Sequence, residues 1–126
     1  YCLMPDHFHI VWMGVSSRTD LRKANSWFRR QLGPILRKNG YELQKQAYDR
    51  VLRPDEKDRF SFERLVKYVF ANPSRAGLID ENSIPPDWPY RDSILPGYPE
   101  LSWQSGAKDY WERVWRVYYA RLEQKV

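Results

Sequence analysis

Apolar positions along this chain change their period several times. Tyr1, Cys2 and Leu3, then Phe8, Ile10, Val11 and Trp12, form two runs rich in strand-favouring residues, separated by the turn pair Pro5-Asp6. They predict the end of one strand at Tyr1–Met4 and a second strand over His7–Met13. After a Gly14–Ser17 loop, Leu21, Ala24, Phe28, Leu32, Ile35 and Leu36 recur at helical spacing, with Ser17 or Thr19 as the cap. Gly33-Pro34 should kink or break that helix before the Asn39-Gly40 turn. Tyr41–Leu52 reads as another strand despite its charged residues.

Pro54 and Asp55 open a second helix whose apolar stripe is Phe62, Leu65, Val66 and Val69, and Asn72-Pro73 should end it. Gly77-Leu78-Ile79 then leads into an irregular stretch containing Pro85, Pro86, Pro89, Pro96 and Pro99, which should wrap the surface. A last helix from about Gly106 places Trp111, Val114, Trp115, Tyr118 and Leu122 along one side. The pattern is that of an α+β protein. Residues 1–80 form its core, and 81–126 form a proline-rich wrap with a carboxy-terminal helix.

Composition narrows the class. At 126 residues one domain is the prior, and 42% hydrophobic with 16% aromatic residues argues against disorder. A single cysteine, Cys2, excludes an intrachain disulfide and a cysteine-based zinc site. The longest uncharged apolar stretch, Ile10–Val15, is far too short to span a membrane, which points to a soluble, cytoplasmic protein without a membrane partner. The net charge of +5 is unevenly placed: Arg18–Lys45 holds eight basic and two acidic residues. Such a stripe suits a polyanion, with Trp27, Phe28 and Tyr41 interleaved for stacking on bases. It equally suits a solvated helix face.

Two clusters carry candidate chemistry. His7 and His9, the only histidines, stand two residues apart, so a strand would turn both imidazoles to one face and Phe8 to the other. They read either as a pair of metal ligands or as two exposed histidines at a strand start. On the second helix Tyr68 and Asn72 are neighbours one turn apart, and Ser61, Arg64 and Arg75 fall on the same margin. That flank reads as a reactive site or as an amphipathic boundary with its polar tips in water.

The segment Tyr1-Cys2-Leu3-Met4-Pro5-Asp6-His7-Phe8-His9-Ile10-Val11-Trp12 resembles the signature of the HUH single-tyrosine transposases, in particular the REP-associated tyrosine transposases. Tyr48-Asp49-Arg50-Val51-Leu52-Arg53 is similar to the family's strand before its catalytic helix. Tyr68-Val69-Phe70-Ala71-Asn72-Pro73-Ser74-Arg75-Ala76-Gly77-Leu78 resembles its tyrosine helix, and Asp87-Trp88-Pro89-Tyr90 a motif that follows. The resemblance implies a ferredoxin-like core, an antiparallel sheet with helices on one face. It also implies that this chain lacks the first strand and helix.

The same resemblance implies that His7, His9 and Asn72 hold Mg²⁺ or Mn²⁺ and that Tyr68 is the nucleophile. It makes Tyr48, on the expected strand, the competing tyrosine. The implied activity is nicking and joining of single-stranded, hairpin-bearing DNA in bacterial transposition, through a 5′-phosphotyrosine. DNA contacts are expected from Arg22, Arg29, Arg30, Arg37 and Lys38, and from Arg64 and Arg75 on the tyrosine helix. The protein would act at the nucleoid, as a monomer or a homodimer. The rival expectation is an inactive, truncated remnant that at most binds nucleic acid.

Overall fold

Pro5 and Asp6 reverse the chain so that β1 (Cys2–Leu3) and β2 (Phe8–His9) pair antiparallel, Cys2 opposite His9 and Leu3 opposite Phe8. The backbone N–H of Met4 donates to the His7 carbonyl at 2.8 Å and closes the turn. This computed structural model describes residues 1–80, 82, 88–105 and 108–124. The strand expected over His7–Met13 is cut to two residues. Among the described residues, 10–13 find no backbone partner in the sheet. The other side of β1 is taken by the segment after Trp88, which was expected only to wrap the surface. Cys2 bridges Arg91, Leu3 N–H donates to the Tyr90 carbonyl at 2.8 Å, and Asp92 N–H donates to the Tyr1 carbonyl at 3.1 Å. Tyr90–Leu95 is free of proline, so its amides remain available for such pairing.

Helix α1 (Leu21–Lys38) is capped by Asp20, one residue after Thr19 and three after Ser17, the two predicted caps. The carboxylate of Asp20 accepts from the N–H groups of Arg22 at 3.0 Å and Lys23 at 3.1 Å. It runs unbroken through Gly33-Pro34, contrary to expectation. Pro34 and Arg30 are both exposed, so the Arg30 carbonyl that loses its donor faces water, and the cost falls on the wet side of the helix. Phe28, on the opposite side, meets Phe8 edge-on at 6.1 Å and Trp12 at 5.7 Å. These contacts seat α1 on the hairpin. Residues 41–53 form an irregular loop, so the strand predicted at Tyr41–Leu52 is absent. With Tyr48 96% exposed and Val51 79% exposed, the loop has neither a ladder partner nor a buried face to fix a register.

Pro54–Glu56 is a single 3₁₀ turn, and α2 (Arg59–Phe70) begins only after Asp58, whose carboxylate accepts from Ser61 N–H at 2.9 Å. Val66, Val69 and Phe70 are buried, with Phe62 and Leu65 half-buried beside them. Asn72-Pro73 does not end the helical path. The chain turns at Ala71 into the short α3 (Asn72–Arg75), where Pro73 occupies a first-turn position that needs no donor.

The last helix, α4 (Tyr110–Glu123), buries Tyr110, Val114 and Trp115. The indole N–H of Trp115 donates to Glu63 Oε1 at 2.7 Å and its ring meets Phe62 at 5.5 Å, which docks α4 on α2. Gly106, where this helix was expected to start, and Asp87, Pro85 and Pro86 lie outside the described residues. Cys2, Phe70, Pro73 and Leu101 complete the core. Arg91, buried among them, donates to the Phe70 carbonyl and so joins the wrap to the end of α2. The described residues are thus α+β, with a two-stranded antiparallel sheet and four α-helices. So small a sheet leaves much apolar surface of α1 and the following loop uncovered, including Ile35 and Tyr41.

Candidate functional site

The tight turn at Pro5-Asp6 sets the histidines. His7 is exposed, and its Nδ1 lies 2.6 Å from Asp6 Oδ1. That hydrogen bond, together with the imidazole's charge, holds the Asp6 carboxyl below its ordinary pKa. A carboxylate on Nδ1 fixes the ring and leaves Nε2 as the free nitrogen, the arrangement that orients metal-bound histidines. His9, on β2, is half-buried, and its Nε2 is buried with no hydrogen-bond partner. Its pKa is lowered, first by burial and then by the positive charges of His7 and Arg75. Such a histidine is neutral at pH 7, and a neutral imidazole nitrogen with no donor facing it is a ligand in waiting. The two rings sit 5.0 Å apart at 82°, on one side of the hairpin.

The second half of the site comes from α2 and α3. Tyr68 is 55% exposed on α2. The turn at Ala71 brings α3 back so that the Arg75 guanidinium lies 4.1 Å from the centre of the Tyr68 ring. Asn72 donates through Nδ2 to the carbonyls of Val69 at 2.9 Å and Tyr68 at 3.3 Å. These bonds assign the amide, commit its NH₂ to the helix and leave Oδ1 as the outward acceptor. Arg64 turns the other way and donates to Ser61 Oγ at 3.0 Å, toward the start of α2.

Arg75 is the link between the two halves, over the phenol of Tyr68 and close enough for its charge to lower the pKa of His9. The structure thus pairs His7 with His9 and Arg75 with Tyr68, with Asn72 one turn from the tyrosine, and the charge of Arg75 felt by His9 is the link between the two pairs. Among the described residues no group of three His, Cys, Asp or Glu converges, and no hydrogen bond ties Asn72 to either histidine. A cation here would rest on two imidazole nitrogens and an amide oxygen, with its remaining positions filled from solvent or substrate. The orphaned Nε2 of His9 and the freed Oδ1 of Asn72 fit that role chemically.

Tyr48, expected on a strand, sits instead on an open loop and is exposed. Tyr68 is set apart from it by the guanidinium over its ring. The role of Asp6 was missed from the sequence, although a carboxylate adjoining the first histidine in a turn is the signal that would have found it.

Of the predicted DNA contacts, Arg22, Arg30, Arg37 and Lys38 are exposed along α1. Arg29 is half-buried and donates to the Gln44 carbonyl, so it anchors the following loop. Between that loop and the helix lies an open cleft of about 380 Å³, lined by Arg29, Arg30, Arg37 and Lys45 over Gly33, with Glu42 as the opposing charge. Among the described residues no helix is long and apolar enough to cross a membrane. Comparison with family models, curated proteins and solved structures yields no match to this chain.

Proposed function

We propose that this chain carries the catalytic centre of a single-strand DNA nicking and joining enzyme of the HUH single-tyrosine kind, built on a ferredoxin-like core and used in transposition. The observation that supports the reading is the edge-on pairing of His7 with His9, whose Nε2 lacks a partner, together with the Arg75 guanidinium over Tyr68. Neither feature is needed for packing, since Tyr68 and His7 are exposed and His9 leaves a buried nitrogen unsatisfied at a cost.

In this reading His7, His9 and Asn72 hold Mg²⁺ or Mn²⁺, hard cations that accept mixed nitrogen and oxygen donors and keep several waters. A cation held by these residues would supply positive charge to offset the charge developing on the scissile phosphate. Arg75 holds the Tyr68 ring by its face and adds a second positive charge beside the phosphate. Tyr68 Oη forms a bond to phosphorus, and the bond from phosphorus to the 3′ oxygen breaks. The phenolic proton passes to solvent, the leaving 3′ oxygen takes one up, and a 5′-phosphotyrosine stores the bond energy for rejoining.

The test is an end-labelled, hairpin-bearing oligonucleotide incubated with the protein and Mn²⁺. Cleavage that needs both Mn²⁺ and His9 supports the reading. Cleavage unchanged in EDTA or in His9→Ala counts against it. A second reading, a DNA-binding protein without chemistry, is favoured by the exposed cations Arg22, Lys23, Arg30, Arg37 and Lys38 of α1. It predicts retention of the labelled strand with no cleavage under either condition.

A further inference from the structure

Six tryptophans are distributed through the chain, and folding gives five of them a partner. Trp12 meets Phe28, Trp88 donates to the Leu3 carbonyl and meets Tyr90, and Trp103, Trp111 and Trp115 join one aromatic cluster with Tyr110. Trp27 is the exception. It is 58% exposed on α1, and among the described residues no ring, guanidinium or hydrogen-bond acceptor engages its indole. An indole more than half in water presents an open face to a further occupant.

Its surroundings say which. Lys23 stands one turn before Trp27 and Arg30 just under one turn after it, on the same side of the helix. With Arg22 and Ser26 they line an open cleft of about 510 Å³ at the indole. Arg37 continues the row, so that Lys23 to Arg37 spans roughly 20 Å of helix. Among the described residues the ion pairs are Asp6–His7, Arg50–Glu56, Arg59–Glu63 and Glu112–Arg116, and none involves α1. The apolar side of the helix, with Phe28 against Phe8 and Trp12, already faces the hairpin. A lipid surface would need that side, and an apolar protein partner would bury three cations unpaired. A single strand needs what is present, a flat π-face for a base and cations one helical turn to either side for its phosphates.

We propose that Trp27, flanked by Lys23 and Arg30, is a stacking platform for one unpaired base of single-stranded DNA, remote in sequence from the Tyr68 centre. The assignment deepens the proposed DNA-processing function and rests on its choice of substrate. It does not need Tyr68 or a metal. Stacking is indifferent to base identity, so the platform holds a strand without reading it, and the cations give the affinity its salt dependence.

The test is fluorescence anisotropy of the full chain with a labelled 12-nucleotide single strand in EDTA, using Trp27→Ala, Trp27→Phe and the double substitution Lys23→Ala/Arg30→Ala. Trp27→Ala should weaken single-strand binding roughly tenfold with its salt slope unchanged, and Trp27→Phe should recover most of that loss. The double substitution should lower the slope by about 1.4 in log–log form. A duplex of the same length should bind Trp27→Ala as well as it binds wild type.

Equal single-strand affinity of Trp27→Ala and wild type overturns the platform and leaves the Tyr68 reading intact. Equal losses for single strand and duplex also overturn it. Wild type that fails to retain the strand at all also overturns the platform, whereas failure of the Tyr68 reading is seen separately, as no cleavage of the hairpin-bearing strand with Mn²⁺. Because Trp27 is exposed, unchanged far-ultraviolet circular dichroism is expected of each variant, and Trp27→Phe behaving like Trp27→Ala would contradict stacking directly.

Discussion

Replacing Trp115 with Phe should loosen the helix that braces the tyrosine-bearing α2. Trp115 is 5% exposed, its N–H reaches Glu63 Oε1 at 2.7 Å, and the same oxygen accepts from Arg59 Nε at 3.0 Å. Phenylalanine keeps the edge contact with Phe62 but deletes the N–H donor. A hydrogen bond to a charged group contributes about 1.5–3 kcal/mol, and the carboxylate keeps Arg59, so a loss of about 2 kcal/mol is expected. Trp115→Ala should cost about 3–5 kcal/mol, because it also removes the ring contacts and opens a cavity.

Urea unfolding followed by circular dichroism reads both. With a urea dependence of about 2 kcal/mol per molar, Trp115→Phe should lower the midpoint by roughly 1 M. In a double-mutant cycle with Glu63→Ala, the coupling should be at least about 1 kcal/mol. Additivity of the two substitutions within about 0.3 kcal/mol would refute the claim that this bond docks α4.

Three further outcomes follow from the same geometry. The depressed His9 pKa means that the folded state binds fewer protons there than the unfolded chain. Stability should therefore hold above the ordinary histidine value of 6.5 and decline as pH falls toward the lowered one, a slope that His9→Gln should remove in urea titrations between pH 7 and 5. Arg75→Met removes a positive charge from beside His9, so the His9 pKa read by NMR titration should rise; an unchanged value would separate Arg75 from the hairpin. Asp20→Ala should cost about 1 kcal/mol in thermal or urea unfolding, since two N–H groups of α1 lose their acceptor.

What could be read ahead of the structure divides along local and non-local lines. The stripes Leu21–Leu36, Phe62–Val69 and Trp111–Leu122 announced three helices because helical burial repeats within one segment. The i, i+2 spacing of His7 and His9 likewise anticipated that their rings meet. Failures arose where a partner distant in sequence decides the outcome. Arg91 becomes a neighbour of Cys2 through pairing across the chain, which no periodicity in Tyr90–Leu95 signals. Tyr41–Leu52 has strand-like residues but no ladder to join. Pro34 is tolerated because of where α1 turns its wet face, which depends on the hairpin beneath Phe28. At the site, Arg75 was visible only as a charge on one margin. The turn at Ala71 that lays it over Tyr68 was hidden by reading Asn72-Pro73 as a stop.

The central claim is that Tyr68 attacks DNA within reach of His7 and His9, and peptide mapping of a covalent adduct tests it most directly. The full chain, incubated with a labelled hairpin-bearing single strand and Mn²⁺, denatured and digested, should yield one phosphotyrosine peptide containing Tyr68. Tyr68→Phe should abolish the adduct while retaining the strand, and Tyr48→Phe should keep it. An adduct that maps to Tyr48, or survives Tyr68→Phe, would contradict the account.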